Sequence, residues 1–339
     1  MAHLSPGCRA LSIMLTGALV GSLLGCASND KRQLADETAP VEQHVLLPRG
    51  FQPLADQSIP DDEQDHYGGW PRYIVSERDK MVMAYVPSQV IRLGGGTGLD
   101  EVPAREVVVN HFYMDIHEVT NGQFAGFSGS GKEGSFRRYY VVGQNEDHPV
   151  RNVSWNSAAS YAKWANKWLP TEAQWEAAAR GDDQRIFPWG NDSTSETTRY
   201  LCNASTSRSD YDGYEYTAPV MNYAAGVSPF GIFNLAGNVW EWCADNYDPG
   251  RYAYPSVEDP ATGLDRGAKE FGDTYYPNPR DKDIREARVG PLRGSERVIR
   301  GGSFADSIER CRVDAREAAR PGATFSNVGF RTVLVLPSE

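Results

Sequence analysis

Several absences narrow the field before any motif is read. The 339-residue chain has five cysteines and six histidines, and only Cys202, Cys243 and Cys311, with His111, His117 and His148, lie beyond residue 80. Three body cysteines permit one disulfide in an oxidising compartment and leave one thiol over. No phosphate-cradling glycine loop, Gly-x-Ser-x-Gly or Cys-x-x-Cys occurs, and Gly94-Gly95-Gly96 is a lone glycine turn. No basic run is present and the formal net charge is -11, which argues against nucleic acid as a partner. His111 and His117 stand six apart on a strand-like segment, without His-x-His spacing, and read as strand surface residues. What the chain does have is apolar material for one large domain or two modest ones, at 40% hydrophobic residues. Its 33 glycines, 8 tryptophans and 17 tyrosines predict a loop-rich fold pinned by aromatic anchors.

Residues 1–25 read as an export signal. Arg9 supplies the positive region, and the apolar stretch Ala10 to Leu24 is too short to span a bilayer comfortably. It ends in Leu23-Leu24-Gly25-Cys26, which resembles the bacterial lipobox, although Leu24 is unusual in its slot. The lipobox implies a lipidated Cys26, and a diacylated, N-acylated cysteine anchors firmly. An ordinary cleaved signal with an incidental cysteine is the plainer alternative. Ala27 rather than Asp follows the cysteine, which by resemblance to sorted lipoproteins implies the outer membrane, facing the periplasm. Residues 26–79, rich in Asp, Glu, Gln and Pro, are expected to form the lipidated N-terminus and a flexible tether.

From residue 80 to 339 the pattern is that of one α+β domain. Met81 to Val86 and Glu106 to Val109 are strand-like on either side of the glycine turn. Ser154 caps a helical run in which Trp155, Ala158, Tyr161, Ala162, Ala165 and Trp168 recur at helical spacing. Thr171 and Gln174 form a capping box for a second helix that Gly181 stops, and a third begins near Thr120-Asn121. Beyond Arg185 the chain is mostly Gly, Asn, Asp and aromatic residues, which predicts irregular structure.

Ordered motifs run through this region: Phe112 to Asn121, His148-Pro149-Val150, Val153-Ser154-Trp155, Leu169 to Glu176 and Phe187-Pro188-Trp189-Gly190. Gly231 to Trp242, Arg300-Gly301-Gly302-Ser303-Phe304 and Asn327 to Arg331 follow. In this order they resemble the formylglycine-generating enzyme, or sulfatase-modifying factor, family over roughly residues 80 to 336. The resemblance implies an irregular, C-type-lectin-like α+β fold. Asn234, Gly237, Val239 and Glu241 offer an amide oxygen, two carbonyls and a carboxylate, hard ligands of the kind calcium takes. The resemblance implies that they bind structural calcium; a turn pinned by tryptophans alone is the alternative. It places a second calcium less firmly on Asn203, Ala204, Asp212 and Tyr214, against an exposed acidic loop.

Family members of known activity oxidise a sulfatase cysteine with oxygen and a copper ion held by two thiolates. By resemblance the thiol positions fall on Asp306 and Cys311, with Ser303 in the same site. An aspartate is a hard ligand and cannot replace a thiolate for Cu(I), so copper and the family reaction are not expected. A cysteine after Trp-Glu-Trp and a Cys-Arg pair recur in relatives of this kind, which implies a Cys243–Cys311 disulfide. That bridge would close about 68 residues and stabilise by about 4 kcal/mol. The Arg-, Asp-, Glu-, Pro- and Tyr-rich segment 249–297 is longer than the family's usual connection and is either a partner-binding loop or a solvated insertion.

Two functional readings remain. One is a lipid-anchored, non-catalytic accessory or scaffold with a periplasmic or envelope protein partner, as in relatives that assist type VI secretion signalling or gliding. The other is an oxidoreductase with altered site chemistry, like the relative that matures a siderophore in the periplasm.

Overall fold

The computed structural model describes residues 46–54, 69–127, 145–193, 200–205, 213–250, 252 and 295–336. Regular structure begins earlier than the sequence predicts. Strands β1 (Phe51–Pro53) and β2 (Tyr73–Ser76) lie within the stretch assigned to a flexible tether, yet they pair antiparallel. This corrects the boundary at residue 79 for the described parts of that stretch. The reason is a few isolated apolar anchors: Phe51, Trp70 and Ile74 are buried although their neighbours are polar, so no periodic run marks them.

β2 pairs with β3 (Val82–Val86). A separate hairpin follows, β4 (Gln89–Leu93) with β5 (Arg105–Val109), holding the glycine turn in its connection. Gly94 has a φ of +76°, and a Cβ there would lie 2.6 Å from the Glu101 carbonyl, so the turn admits no side chain. Next comes β6 (Phe112–Asp115), then helices α1 (Asn121–Gly126), α2 (Trp155–Trp164) and α3 (Glu172–Arg180). Each helix starts where its cap predicts. Thr120, Ser154 and Thr171 accept from the backbone three residues on, and Gln123 and Gln174 complete capping boxes. The C-terminal part supplies β7 (Trp240–Asn246), β8 (Arg297–Arg300), β9 (Arg316–Ala319), β10 (Val328–Gly329) and β11 (Val333–Val335).

The strands form a five-stranded sheet in the order β1-β2-β3-β6-β11, a four-stranded sheet β10-β7-β8-β9, and the β4-β5 hairpin. Among the described strands, only the short β10–β7 pairing is parallel. This is one irregular α+β domain, as expected. Period-2 alternation along β3 and β6 feeds two cores. Met83, Tyr85 and Tyr113 face a cluster with Phe124, Tyr161, Trp242 and Phe330. Ala84, Val86, Phe112 and Met114 face a second cluster with Trp175, Cys243 and Val298.

All nine residues of α3 are buried, charged ones included. Burial of Glu172 and Glu176 is sustained by arginines from the second sheet: Arg316 Nε donates to Glu172 at 2.8 Å, and Arg300 bridges Glu172 and Glu176. Tyr252, at the start of the 249–297 segment, is buried and donates to Glu172 at 3.1 Å. Residues 253–294 of that segment lie outside the described residues. The salt-bridged arginines carry the end of β8 into the loop that forms the site.

Candidate functional site

Two centres adjoin along the loops before β7 and after β8. The first is built on Asn234 and Asn238. Both take left-handed backbone, φ 55° and 63°, which asparagine tolerates better than most residues. Their amides converge on one carboxylate that sequence reasoning missed. Asn234 Nδ2 donates to Glu118 Oε2 at 2.8 Å, and Asn238 Nδ2 to Glu118 Oε1 at 2.9 Å. Asn234 Nδ2 also donates to the Val220 carbonyl at 2.9 Å. The amide's orientation is therefore fixed, and Asn234 Oδ1 is left buried without a hydrogen-bond partner.

Such an orphan is costly unless something satisfies it. A hard cation fits that oxygen, so on this residue the chemistry agrees with a calcium site. Glu241 is occupied differently. Its carboxylate accepts from Arg331 Nη2 at 2.6 Å, Arg331 Nε at 2.7 Å and Trp175 Nε1 at 2.8 Å. Among the described residues no group of three or more His, Cys, Asp or Glu side chains could hold a metal, so a cation here would rest on amide and carbonyl oxygens. Burial pushes Glu118 up to about 7, opposed by the Arg331 charge and reinforced by Glu241. The signal for Glu118 in sequence is slight: it sits two residues before the Thr120 cap, inside a motif whose apolar positions draw the eye.

The residues for a second calcium are brought to the same neighbourhood only in part. Asn203 is buried, and its Nδ2 donates to the Tyr216 carbonyl at 2.7 Å and to Asn238 Oδ1 at 3.2 Å. Asn238 N–H returns a bond of 2.7 Å to the Asn203 carbonyl. Ala204 adjoins this contact, Tyr214 packs its ring 6.3 Å from that of His148, and Asp212 lies outside the described residues.

The second centre contains the residues expected at the family's reactive site. Gly301 and Gly302 have φ of +102° and +72° and turn the chain after β8. A Cβ on Gly302 would sit 2.5 Å from Cys311 Sγ, so glycine is needed for close approach as well as for φ. Ser303 Oγ donates to Asp306 and accepts from Asn327 Nδ2 at 3.1 Å. Trp240 Nε1 donates to the same Asp306 carboxylate at 2.8 Å. Phe304 N–H bonds the Asn238 carbonyl at 3.0 Å, which joins the two centres. Around this face the Arg151 guanidinium stacks 5.6 Å from both the Tyr216 and Phe304 rings, and Arg310 stacks 5.5 Å from Trp240.

Cys311 does not face the solvent beside Asp306. It is fully buried, and burial pushes its thiol well above the usual range. The expected Cys243–Cys311 bridge is not formed, because the two residues occupy different clusters. Cys243 packs with Trp175 and Val298, whereas Cys311 packs with Cys202 and Ala236. The cause is strand alternation: Trp242 of β7 points into one core and Cys243 into the other, on the α3 side. His117 also departs from expectation. It is partly buried, with Nδ1 2.7 Å from the Glu118 carbonyl, and burial lowers its pKa to about 4. His111 instead lies 5.4 Å from the Trp70 ring. Cys26 lies outside the described residues, and no helix among those described is long and apolar enough to cross a membrane.

Comparison with known proteins bears on the family and the fold. A "formylglycine-generating enzyme" of Thermomonospora curvata is 41% identical over 194 residues, covering 55% of each chain. An "inactive C-alpha-formylglycine-generating enzyme 2" of Bos taurus is 31% identical over 193 residues, covering 55% of this chain and 50% of the relative. The chain thus spans about half the length of the curated relatives it matches. Among solved structures, PvdO from Pseudomonas aeruginosa shares the fold with a TM-score of 0.57 at 22% identity, covering 76% of this chain and 96% of that one. The family model for the sulfatase-modifying factor enzyme 1-like domain matches residues 76–336. By that match the chain belongs to the sulfatase-modifying factor enzyme 1-like domain family.

Proposed function

We propose that this chain is a non-catalytic accessory protein: a sulfatase-modifying-factor scaffold, exported and lipid-anchored through Cys26, that faces the periplasm from the outer membrane. The observation that carries the reading is the state of the two thiol positions. Asp306 stands at one and is held by Ser303 and the Trp240 indole. Cys311, at the other, is buried and favours its protonated form. Copper(I) in this family's chemistry calls for a pair of thiolates, and neither position supplies one.

What the site retains is a shaped surface. Phe304 and the exposed Tyr216, with Arg151 over both rings, and Arg310 over the buried Trp240 border the Ser303–Asp306 pair. Tyrosine and arginine are among the side chains that most often anchor protein partners. An envelope protein, such as a component of a secretion machine, is the partner class this reading favours. Calcium bound at Asn234 and the Gly237 and Val239 carbonyls would satisfy the orphaned oxygen and hold the loop that carries Trp240. Glu241 would lend charge while it stays bonded to Arg331.

A second reading, an oxidoreductase with altered site chemistry, draws support from the Ser303 hydroxyl lying against the Asp306 carboxylate, since that pair could hold or move a proton. Elemental analysis of the purified full chain separates the two. Stoichiometric calcium without copper or iron supports the scaffold, whereas stoichiometric copper or iron overturns it.

A further inference from the structure

The third core cluster brings Cys311, which the family resemblance pairs with Cys243, beside Cys202, which it pairs with nothing. Cys202 and Cys311 are both buried, 2% and 0% exposed, and share this cluster with Ala236, with no bond joining them in this structure. They come from segments 109 positions apart, and the backbone on each side is gripped where no side chain would fit. Around Cys202, a Cβ on Gly226 would lie 1.7 Å from the Leu201 carbonyl, and one on Gly237 would lie 2.2 Å from the Asn203 carbonyl. At Cys311 a Cβ on Gly302 would lie 2.5 Å from the sulfur. The two segments are also hydrogen-bonded, Ser205 N–H to the Asp306 carbonyl at 2.8 Å. Both thiols are therefore held in one packed cluster.

From this juxtaposition we infer that Cys202 and Cys311 form the chain's structural disulfide, in place of the Cys243–Cys311 bridge, and that Cys243 stays a core thiol. The bond staples loop 200–205, which reaches Asn238 through Asn203, onto the turn that carries Asp306. Consistent with the pairing, Cys202 is, after burial itself, the neighbour that most disfavours a thiolate at Cys311. Because burial disfavours the Cys311 thiolate once the cluster is packed, exchange runs while the loops are still open. With a disulfide-bearing oxidant such as oxidised glutathione the step balances. One protein thiolate attacks the glutathione disulfide and releases a glutathione thiol. The second attacks the mixed disulfide and releases another, the two protein protons ending on the two glutathiones.

The test is peptide mapping by mass spectrometry. The full chain is refolded in a reduced/oxidised glutathione buffer, then alkylated under denaturing, non-reducing conditions. A cross-linked pair of peptides bearing Cys202 and Cys311, with Cys243 alkylated, is the expected result. Alkylation of Cys202 and Cys311, or a bridge from either to any other cysteine, overturns the inference. So does stoichiometric zinc or copper released from the pair by a thiol reagent. A second reading needs no variant: reduction should lower the thermal midpoint by roughly 10 °C. An unchanged midpoint counts against a structural bond.

Discussion

Replacing Arg331 by methionine removes the cation that makes the first centre tolerable. Arg331 is fully buried and donates to both oxygens of Glu241, to the Asp115 carbonyl at 3.2 Å and to the Phe233 carbonyl at 2.8 Å. Without it, Glu241 keeps the Trp175 indole, and two buried carboxylates, Glu241 and Glu118, repel each other with no cation between them. Breaking a buried ion pair by deleting one partner costs about 3–5 kcal/mol. For a domain of this size each kcal/mol moves Tm by about 2–4 °C, so Arg331→Met should lower Tm by roughly 10 °C. Differential scanning calorimetry in excess chelator measures it free of metal. The control is the double variant Arg331→Met with Glu241→Gln. Glutamine still accepts from Trp175 but carries no charge, so the double variant should recover a large part of the loss. A single-variant shift below about 2 °C, or a double variant no better than the single, refutes the reasoning.

Glu118→Gln can accept from only one of the two asparagine amides, and Asn234 Oδ1 loses its enforced direction. Isothermal titration should then find calcium binding weakened about tenfold or more relative to wild type, the equivalent of losing one hydrogen bond to a charged group. Asp245 is held up to about 7 by burial and by the Glu172 charge, although Glu172 N–H donates to it at 2.6 Å. The folded chain therefore keeps this proton where the unfolded chain has lost it. Its stability contribution is full below about pH 4 and falls away as pH rises through 7. Between pH 6 and 8, wild-type Tm should fall more than that of Asp245→Asn; parallel curves would contradict this. Thr171→Ala removes the acceptor for Gln174 N–H at 3.0 Å and should lower unfolding free energy by about 1 kcal/mol in urea melts.

How much of this was legible in the sequence depended on whether the physics was local. The three helices could be placed because their caps are local: Thr120, Ser154 and Thr171 each act on a neighbour three residues away. The strands of Met81–Val86 and Glu106–Val109 show as short apolar runs for the same reason. Phe51 and Ile74 anchor two further strands, but single apolar residues among polar ones leave no period to read. The site divides in the same way. Asn234, Ser303 and Asp306 stand in motifs whose order is visible in the chain. Glu118 acts on residues 116 and 120 positions away. Arg331 meets Glu241 across 90. The thiol pairing failed because which core Cys243 enters is decided by the sheet partners of β7, not by its distance along the chain from Cys311.

The most direct test of the account is the family reaction itself. The purified full chain, loaded with copper(I) and supplied with oxygen, is incubated with a peptide carrying a sulfatase-type cysteine, and the peptide mass is followed. With Asp306 at one thiol position and Cys311 buried at the other, the cysteine should remain unconverted. Turnover to formylglycine that disappears in Cys311→Ser would contradict the central claim.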